Sequence, residues 1–246
     1  MNEFQSKNQG YNRPAGLPPP QGAWGSYGME PAARAGVSER MSFIRKVYAL
    51  FFVATLFAVG GVGLGLSSPP LRVFAFQHPL VMFIVMIGGV MGAQAVRHVR
   101  GVNLLALFGF TTLTGIVISP LIAVLAIYNP GSILSAGVLT VGIFGGLTAY
   151  VFISKRDFSF MRGMVTVGLI VVILAGLVNL FVGSGALGFA IAAAALLLFS
   201  GFVLYDTSNI IRRYPVNEYV AGALSLYLDA FNIFLALLRI LNAGRR

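Results

Sequence analysis

Seven long apolar stretches constrain this chain more than any other feature. They span residues 46–66, 79–97, 102–128, 133–153, 163–182, 186–211 and 219–239. Each is close to the ~20 residues with which an α-helix crosses the hydrocarbon of a bilayer. Because backbone groups in lipid must find hydrogen-bond partners within their own segment, we predict that every stretch is a helix. The fold class is therefore all-α, a polytopic integral membrane protein built as a bundle of seven transmembrane helices.

The composition agrees with a membrane protein and excludes several classes of function. Of the 246 residues, 57% are hydrophobic and only 10% are charged, which is too little polar surface to cover a water-soluble core. The net charge of +10 comes from basic residues in short loops between apolar stretches, so we interpret them as topology signals and expect no nucleic-acid partner. With no cysteine and only His78 and His98, a thiolate or histidine metal site is excluded, and we expect no cofactor.

The first 40 residues differ from the rest. They are rich in Gly, Pro and polar residues and show no apolar period, which predicts a disordered cytoplasmic tail over 1–40 before a membrane domain over 41–246. Basic residues fill this tail and the second, fourth and sixth loops, whereas the odd-numbered loops contain only Arg72. This asymmetry places the N-terminus in the cytoplasm. Seven crossings would leave the basic C-terminus outside, so the last helix either crosses against that local signal or enters and returns.

Two patterns within the apolar stretches predict details of helix shape and packing. Ser119-Pro120 lies in the middle of the long third stretch, where a kink or a break is expected. Glycines four residues apart allow close approach of helices, and we expect a compact bundle from them. These pairs are Gly61/Gly65, Gly88/Gly92 and Gly142/Gly146.

Asp206 and Asp229 are the only two acidic residues inside apolar stretches. An ionisable group at membrane depth costs at least ~2.5–3.5 kcal/mol, so each must face the bundle interior or water. At 1.5 Å per residue they lie roughly 7.5 and 15 Å deep, and a modest stagger of the two helices would bring them level. Amides three residues on share a helix face with each acid, and tyrosine hydroxyls lie nearby. These supporting polar residues are Asn209, Asn232, Tyr205 and Tyr227.

Two carboxylates close together in a low dielectric tend to share one proton, so the pair is a candidate pH sensor. The alternative is a buried hydrogen-bonded pair with a purely structural role. Arg97, at the cytoplasmic end of the second helix, lies at a compatible depth to pair with an ionised aspartate, although it could equally be an ordinary flanking charge.

The segments LYDTSNI at 204–210 and ALSLYLDAFNIFLALLRI at 223–240 closely resemble the hallmark of the Bax inhibitor-1 family, also called the transmembrane Bax inhibitor motif family. Two further stretches match, at 96–120 and at 154–161, and the resemblance covers about residues 40–243. It implies seven helices with the last wrapped by the other six, and in bacterial members a pH-sensitive calcium leak. The family's di-aspartyl sensor falls on Asp206 and Asp229, which would meet Ca²⁺ transiently, and its latching arginine falls on Arg97.

The resemblance also implies other roles. Family members suppress cell death, and a bacterial relative inhibits a membrane-bound AAA protease, so a regulatory interaction protein is the alternative to a pH-sensitive calcium leak. The partners of such a leak would be the lipid bilayer, Ca²⁺ and protons. An intramembrane aspartyl protease is a third hypothesis, but the second acid lies in LYLD rather than in a Gly-x-Gly-Asp pattern. We therefore expect that the chain is not an enzyme, and we expect it in a bacterial cytoplasmic membrane.

Overall fold

The computed structural model describes residues 36–243, and nearly all of them are helical. A single 3-10 turn, Ser159–Met161, joins the fifth and sixth helices. The α-helices are α1 (Val37–Ser67), α2 (Pro69–Gln77), α3 (Pro79–Ala95), α4 (Val102–Tyr128), α5 (Pro130–Ser154), α6 (Arg162–Val182), α7 (Gly185–Arg212) and α8 (Tyr219–Ala243). The predicted all-α membrane fold is confirmed.

Six of these helices are long and apolar enough to cross a membrane singly: α1, α4, α5, α7, α8 and α6 with the short turn before it. The predicted second span is instead the second half of a bent pair, in which α2 and α3 meet at an angle of 98°. Proline is the first residue of both helices, and it is tolerated there because that position needs no N–H donor. The segment before Pro79, expected to be a loop, therefore forms α2.

Contacts at the helix ends show that the bent pair carries the chain across the bundle. Lys46, near the start of α1, lies 5.5 Å from the ring centroid of Tyr219 at the start of α8. Arg97, just after α3, lies beside Glu218, which immediately precedes α8. Because α1 leads away from this end without a break, α2 and α3 together must return the chain to it. With the bent pair counted as one span, the chain passes seven times between the two ends of the bundle. We call this end, where Lys46, Arg97 and Glu218 lie, the basic end.

α8 is the central helix of the bundle. It packs mainly against α1, α4, α5 and α7, while α2 and α3 pack on α4 and α6 packs on α7. Direct wrapping is thus by four helices rather than by the six that the resemblance implied. One side of α8, with Leu226 and Ile233, enters one hydrophobic core, and the other, with Leu224 and Phe231, enters a second. α8 is also one continuous helix of 25 residues, so it crosses rather than entering and returning.

The glycine prediction is correct for one pair only. Gly61 and Gly65 pack directly on Thr112 and Ser119 of α4, which leaves no room for a Cβ atom. A glycine that the pattern missed, Gly115 of α4, approaches the backbone of α1 at Ala58 equally closely. The prediction is wrong for Gly88/Gly92 and Gly142/Gly146, because a Cβ atom at any of these four would meet no neighbour within 4 Å.

α4 continues through Pro120 without the break that was considered. Proline lacks the N–H that would normally bond to the carbonyl four residues earlier, here that of Ile116. The Ser119 hydroxyl donates to that same Ile116 carbonyl over 2.8 Å. This bond replaces the missing one, and replacement matters in lipid because no water is present to do so.

The predicted tail, residues 1–40, lies outside the described residues as far as residue 35, so its disorder stays a prediction. Its last four residues, 37–40, form the first turn of α1, which begins at Val37, well before the apolar stretch. Glu39 lies in this first turn, where a negative charge is favourable to the helix dipole.

Candidate functional site

A cavity of about 410 Å³ opens at the basic end, where the loops after α3, α5 and α7 meet. Its walls are mostly polar and combine three arginines with two acids. The lining residues are Arg97, Arg162, Tyr205, Asp206, Asn209, Arg213, Tyr214, Pro215 and Glu218. Four of the residues predicted from sequence, Arg97, Tyr205, Asp206 and Asn209, therefore share one cavity.

The two acids occupy different surroundings although they lie close together. Asp206 is half-buried and lines the cavity with Asn209, as their spacing on one helix face predicts. Asp229 is only 3% exposed, and its Oδ2 atom has no hydrogen-bond partner among the described residues. Asp206 lies on α7 and Asp229 on α8, and these two helices pack against each other. One acid thus faces the cavity and the other is buried behind it, on the neighbouring helix.

The loop between α7 and α8 is bonded to the side of α8 near Asp229. The Tyr214 hydroxyl lies 3.2 Å from the Ser225 hydroxyl, which is one helical turn before Asp229. This contact holds the loop after α7 against the second turn of α8. Burial and the nearby charge of Asp206 raise the pKa of Tyr214 to about 12, so its hydroxyl stays protonated and available for this bond at neutral pH.

Two of the predicted supporting residues are directed elsewhere. The Asn232 amide donates to the carbonyl of Leu228 in its own helix, over 2.8 Å, rather than reaching the carboxylate of Asp229. The Tyr227 hydroxyl bonds to the hydroxyl of Thr114 on α4, and its ring stacks on Phe231 with centroids 5.7 Å apart. Sequence spacing placed them near the acids, but a closer partner on the backbone or on α4 satisfies each of them.

Arg97 lies in the same cavity as Asp206, but its ionic partner in the structure is Glu218. The distance from Arg97 Nε to Glu218 Oε2 is 4.0 Å. The guanidinium is 44% exposed, so it can change partner without unpacking the core. The structure therefore brings the predicted latch and the predicted sensor together without pairing them.

The segment after α5 is fastened to the end of α7 beside the cavity. Arg213 donates to Asp157 Oδ2 over 3.2 Å and to the Ser159 hydroxyl over 2.6 Å, and the Phe158 N–H donates to the Ser208 hydroxyl over 3.1 Å. The backbone N–H of Ser159, with Arg213 as a further partner, holds the pKa of Asp157 below its usual range. The segment, which carries one of the family-like stretches, thus fixes where Arg213 stands at the cavity wall.

Five cavity residues were not singled out by sequence reasoning: Arg162, Arg213, Tyr214, Pro215 and Glu218. Basic residues next to a membrane span are common. The sequence therefore provided no reason to assign the two arginines to a site. Glu218 carried a usable signal, since it is one of only two acids in the predicted loops, the other being Asp157.

The chemistry available at the site is that of oxygen ligands and protons. Carboxylate oxygens suit hard cations such as Ca²⁺. Within residues 36–243, no three side chains of histidine, aspartate or glutamate come together as a metal cluster. A cation at the pair would therefore meet the carboxylates of Asp206 and Asp229 and little else of this kind.

Comparison with known proteins agrees with this architecture. The model of the family described as "Inhibitor of apoptosis-promoting Bax1" matches residues 40–246. Protein lifeguard 4 of Mus musculus is 36% identical over 214 residues, which is 86% of this chain and 89% of that protein. The Golgi anti-apoptotic protein of vaccinia virus is 33% identical over 217 residues, covering 87% and 90%. An uncharacterised protein of Campylobacter jejuni is 39% identical over 211 residues, covering 84% and 90%. The chain is an integral membrane protein of the Bax inhibitor family.

Proposed function

We propose that this protein is a pH-sensitive calcium leak, gated by proton sharing between Asp206 and Asp229. The observation that carries the proposal is the juxtaposition of a cavity-lining acid and a buried acid with an unpartnered oxygen. Such a pair can take up a proton from the cavity and share it. Its charge, and hence its attraction for a cation, then depends on pH.

In this proposal the proton changes the balance between closed and open arrangements of α7 and α8. With both acids ionised, their repulsion disfavours close packing of the two helices, and a shared proton removes it. Arg97 acts as a latch, because a guanidinium that pairs with ionised Asp206 loses its partner when that acid is protonated. The exposed position of Arg97 at the cavity supports this role.

The basic end is the cytoplasmic end in this proposal, because basic loops favour that side. A bacterial relative supports a bacterial cytoplasmic membrane as the location. The surrounding lipid bilayer, Ca²⁺ and protons are then the partners that the activity requires, and no resident cofactor takes part.

The test is calcium flux into proteoliposomes at several pH values between about 6 and 8. We expect pH-dependent flux for the wild-type protein and loss of that dependence in Asp206→Asn and in Asp229→Asn. Glu39→Gln, which removes one negative charge at the same end, is the matched control. If both aspartate variants kept the wild-type response to pH, the proposal would be wrong.

A regulatory interaction is the second candidate function, and the names of the family and of the viral relative favour it. Here the protein restrains a membrane complex, such as a membrane-bound AAA protease or a stress or cell-death component, and the tail is the presented segment. Deleting residues 1–35 discriminates, because lost partner binding with intact flux favours regulation. Retained binding after the deletion would exclude the tail as the contact.

A further inference from the structure

Three ionisable side chains form a chain across the mouth of the cavity. Arg97 Nε donates to His98 Nε2 over 2.9 Å, and His98 Nδ1 lies 3.5 Å from Glu218 Oε1. Arg97 Nε also lies 4.0 Å from the other oxygen of Glu218. The side chain of Glu218 is 15% exposed, whereas those of Arg97 and His98 are 44% and 57% exposed. Glu218 is thus the least exposed of the three, and the other two side chains converge on it.

Arg97 therefore has two carboxylates in one cavity, Glu218 and Asp206. The structure pairs it with the first. Both acids and Arg97 line the same cavity of about 410 Å³. The remaining cations at the cavity are Arg162 and Arg213, and the second of these is already held by Asp157. Arg97 is therefore a cation that lies beside one carboxylate while a second carboxylate lines the same cavity.

We propose that Glu218 is a positioning residue of this cavity, which together with His98 holds Arg97 at the mouth and so limits its pairing with Asp206. The inference rests on the proposed function, because it assigns a partner to the latch of that mechanism. Glu218 does not touch the conducted ion; it acts through Arg97.

The hydrogen bond from Arg97 gives His98 a definite part in this arrangement. A neutral imidazole that accepts at Nε2 carries its proton at Nδ1, the nitrogen that faces Glu218. His98 thus accepts from Arg97 at one ring nitrogen and presents the other to Glu218, so it links the two residues at the mouth.

The decisive variant is Glu218→Gln, measured by calcium flux as a function of pH. Arg97 loses its ionic partner and pairs with ionised Asp206, which must then be protonated at higher proton concentration. Because an opposite charge within about 4–6 Å moves such a titration by about 1 unit or more, we expect the midpoint of the flux curve to move to lower pH by about 1 unit. That is about a tenfold rise in proton concentration.

Three controls separate this role from a general loss of charge. The double variant Arg97→Gln with Glu218→Gln should show none of the shift caused by Glu218→Gln, because the effect passes through Arg97. Glu218→Asp keeps the charge and should stay close to wild type, and Glu39→Gln should not move the midpoint. A shift in Glu218→Gln that persists without Arg97 overturns the inference.

A second measurement does not depend on flux. The chain has no cysteine, so spin labels can be placed at Val99→Cys and Asn217→Cys, two exposed positions flanking the ion pair. If the ion pair between Arg97 and Glu218 holds the loop after α3 against the loop before α8, the distribution of distances between the labels broadens in Glu218→Gln. It should broaden equally in Arg97→Gln, which removes the other partner of the pair. Identical distributions in all three proteins overturn the inference.

The outcomes also distinguish the inference from the proposed function. If Asp206→Asn removes the pH response while Glu218→Gln leaves midpoint and distances unchanged, only the role of Glu218 is wrong. If Asp206→Asn leaves the pH response intact, the leak mechanism is wrong, and the label distances alone then decide whether Glu218 holds Arg97.

Discussion

Asp206 and Asp229 lie on neighbouring helices, α7 and α8, yet only Asp206 lines the cavity at the basic end. Asp229 is buried on the central helix, in contact with protein on all sides. In the proposed leak, a proton or a cation would reach Asp206 from the cavity and Asp229 only by way of Asp206. The account of function depends on this ordering.

The crossing of α1 and α4 predicts a strong difference between two glycine substitutions. Gly115→Ala places a methyl group against the backbone of Ala58, so we expect a loss of stability of about 1–3 kcal/mol. Gly142→Ala meets open space and gains helix propensity, so it should be neutral or stabilising by up to about 1 kcal/mol. Thermal unfolding in detergent measures both. Equal melting temperatures for the two variants would contradict the close crossing.

Tyr227 should matter for stability and not for gating. Tyr227→Phe removes the hydroxyl that bonds to Thr114, while Thr114 keeps its bond to the carbonyl of Thr111 over 2.6 Å. We expect a loss of about 0.5–1.5 kcal/mol in unfolding free energy and an unchanged flux midpoint. Thermal unfolding and the flux curve are measured on the same preparation. A variant that behaves like Asp229→Asn would place Tyr227 in the gate.

The Asp157–Arg213 contact should make the segment after α5 sensitive to acid. The pKa of Asp157 is lowered from 3.8 in the folded protein, so its contribution is complete above about pH 5 and is lost as the pH falls through the lowered value. We expect Asp157→Asn to speed amide exchange at residues 155–161 above pH 5, by an amount equal to at most about 1 kcal/mol because the pair is exposed. A difference that grows as the pH is lowered towards 3 has the wrong sign for this explanation.

The sequence was sufficient for the parts of the fold that depend on lipid. Each long apolar stretch became a helix because no other backbone arrangement satisfies its hydrogen bonds in hydrocarbon. α2 could not be found in this way, since it has nine residues, includes Arg72 and is too short to cross. The prediction of close packing at Gly88/Gly92 and Gly142/Gly146 was wrong for a different reason. Spacing alone does not show which face of a helix meets another helix.

The candidate site was predictable where burial in an apolar stretch made a charge conspicuous, as for Asp206 and Asp229. It was not predictable where the partner is distant in sequence. Glu218 pairs with Arg97 across the cavity, and the residues around either one do not predict that contact. Asn232 and Tyr227 lie near Asp229 in the helix, as their spacing predicts. Spacing did not show, however, that Asn232 would bond to the Leu228 carbonyl and Tyr227 to Thr114.

The most direct test of the account compares the pH dependence of calcium flux in wild type, Asp206→Asn, Asp229→Asn and the double variant. A pair that shares one proton acts as a unit, so each single variant should already lose the pH response and the double variant should add nothing further. Separate, additive effects of the two substitutions, or a wild-type pH response in the double variant, would contradict proton sharing between Asp206 and Asp229.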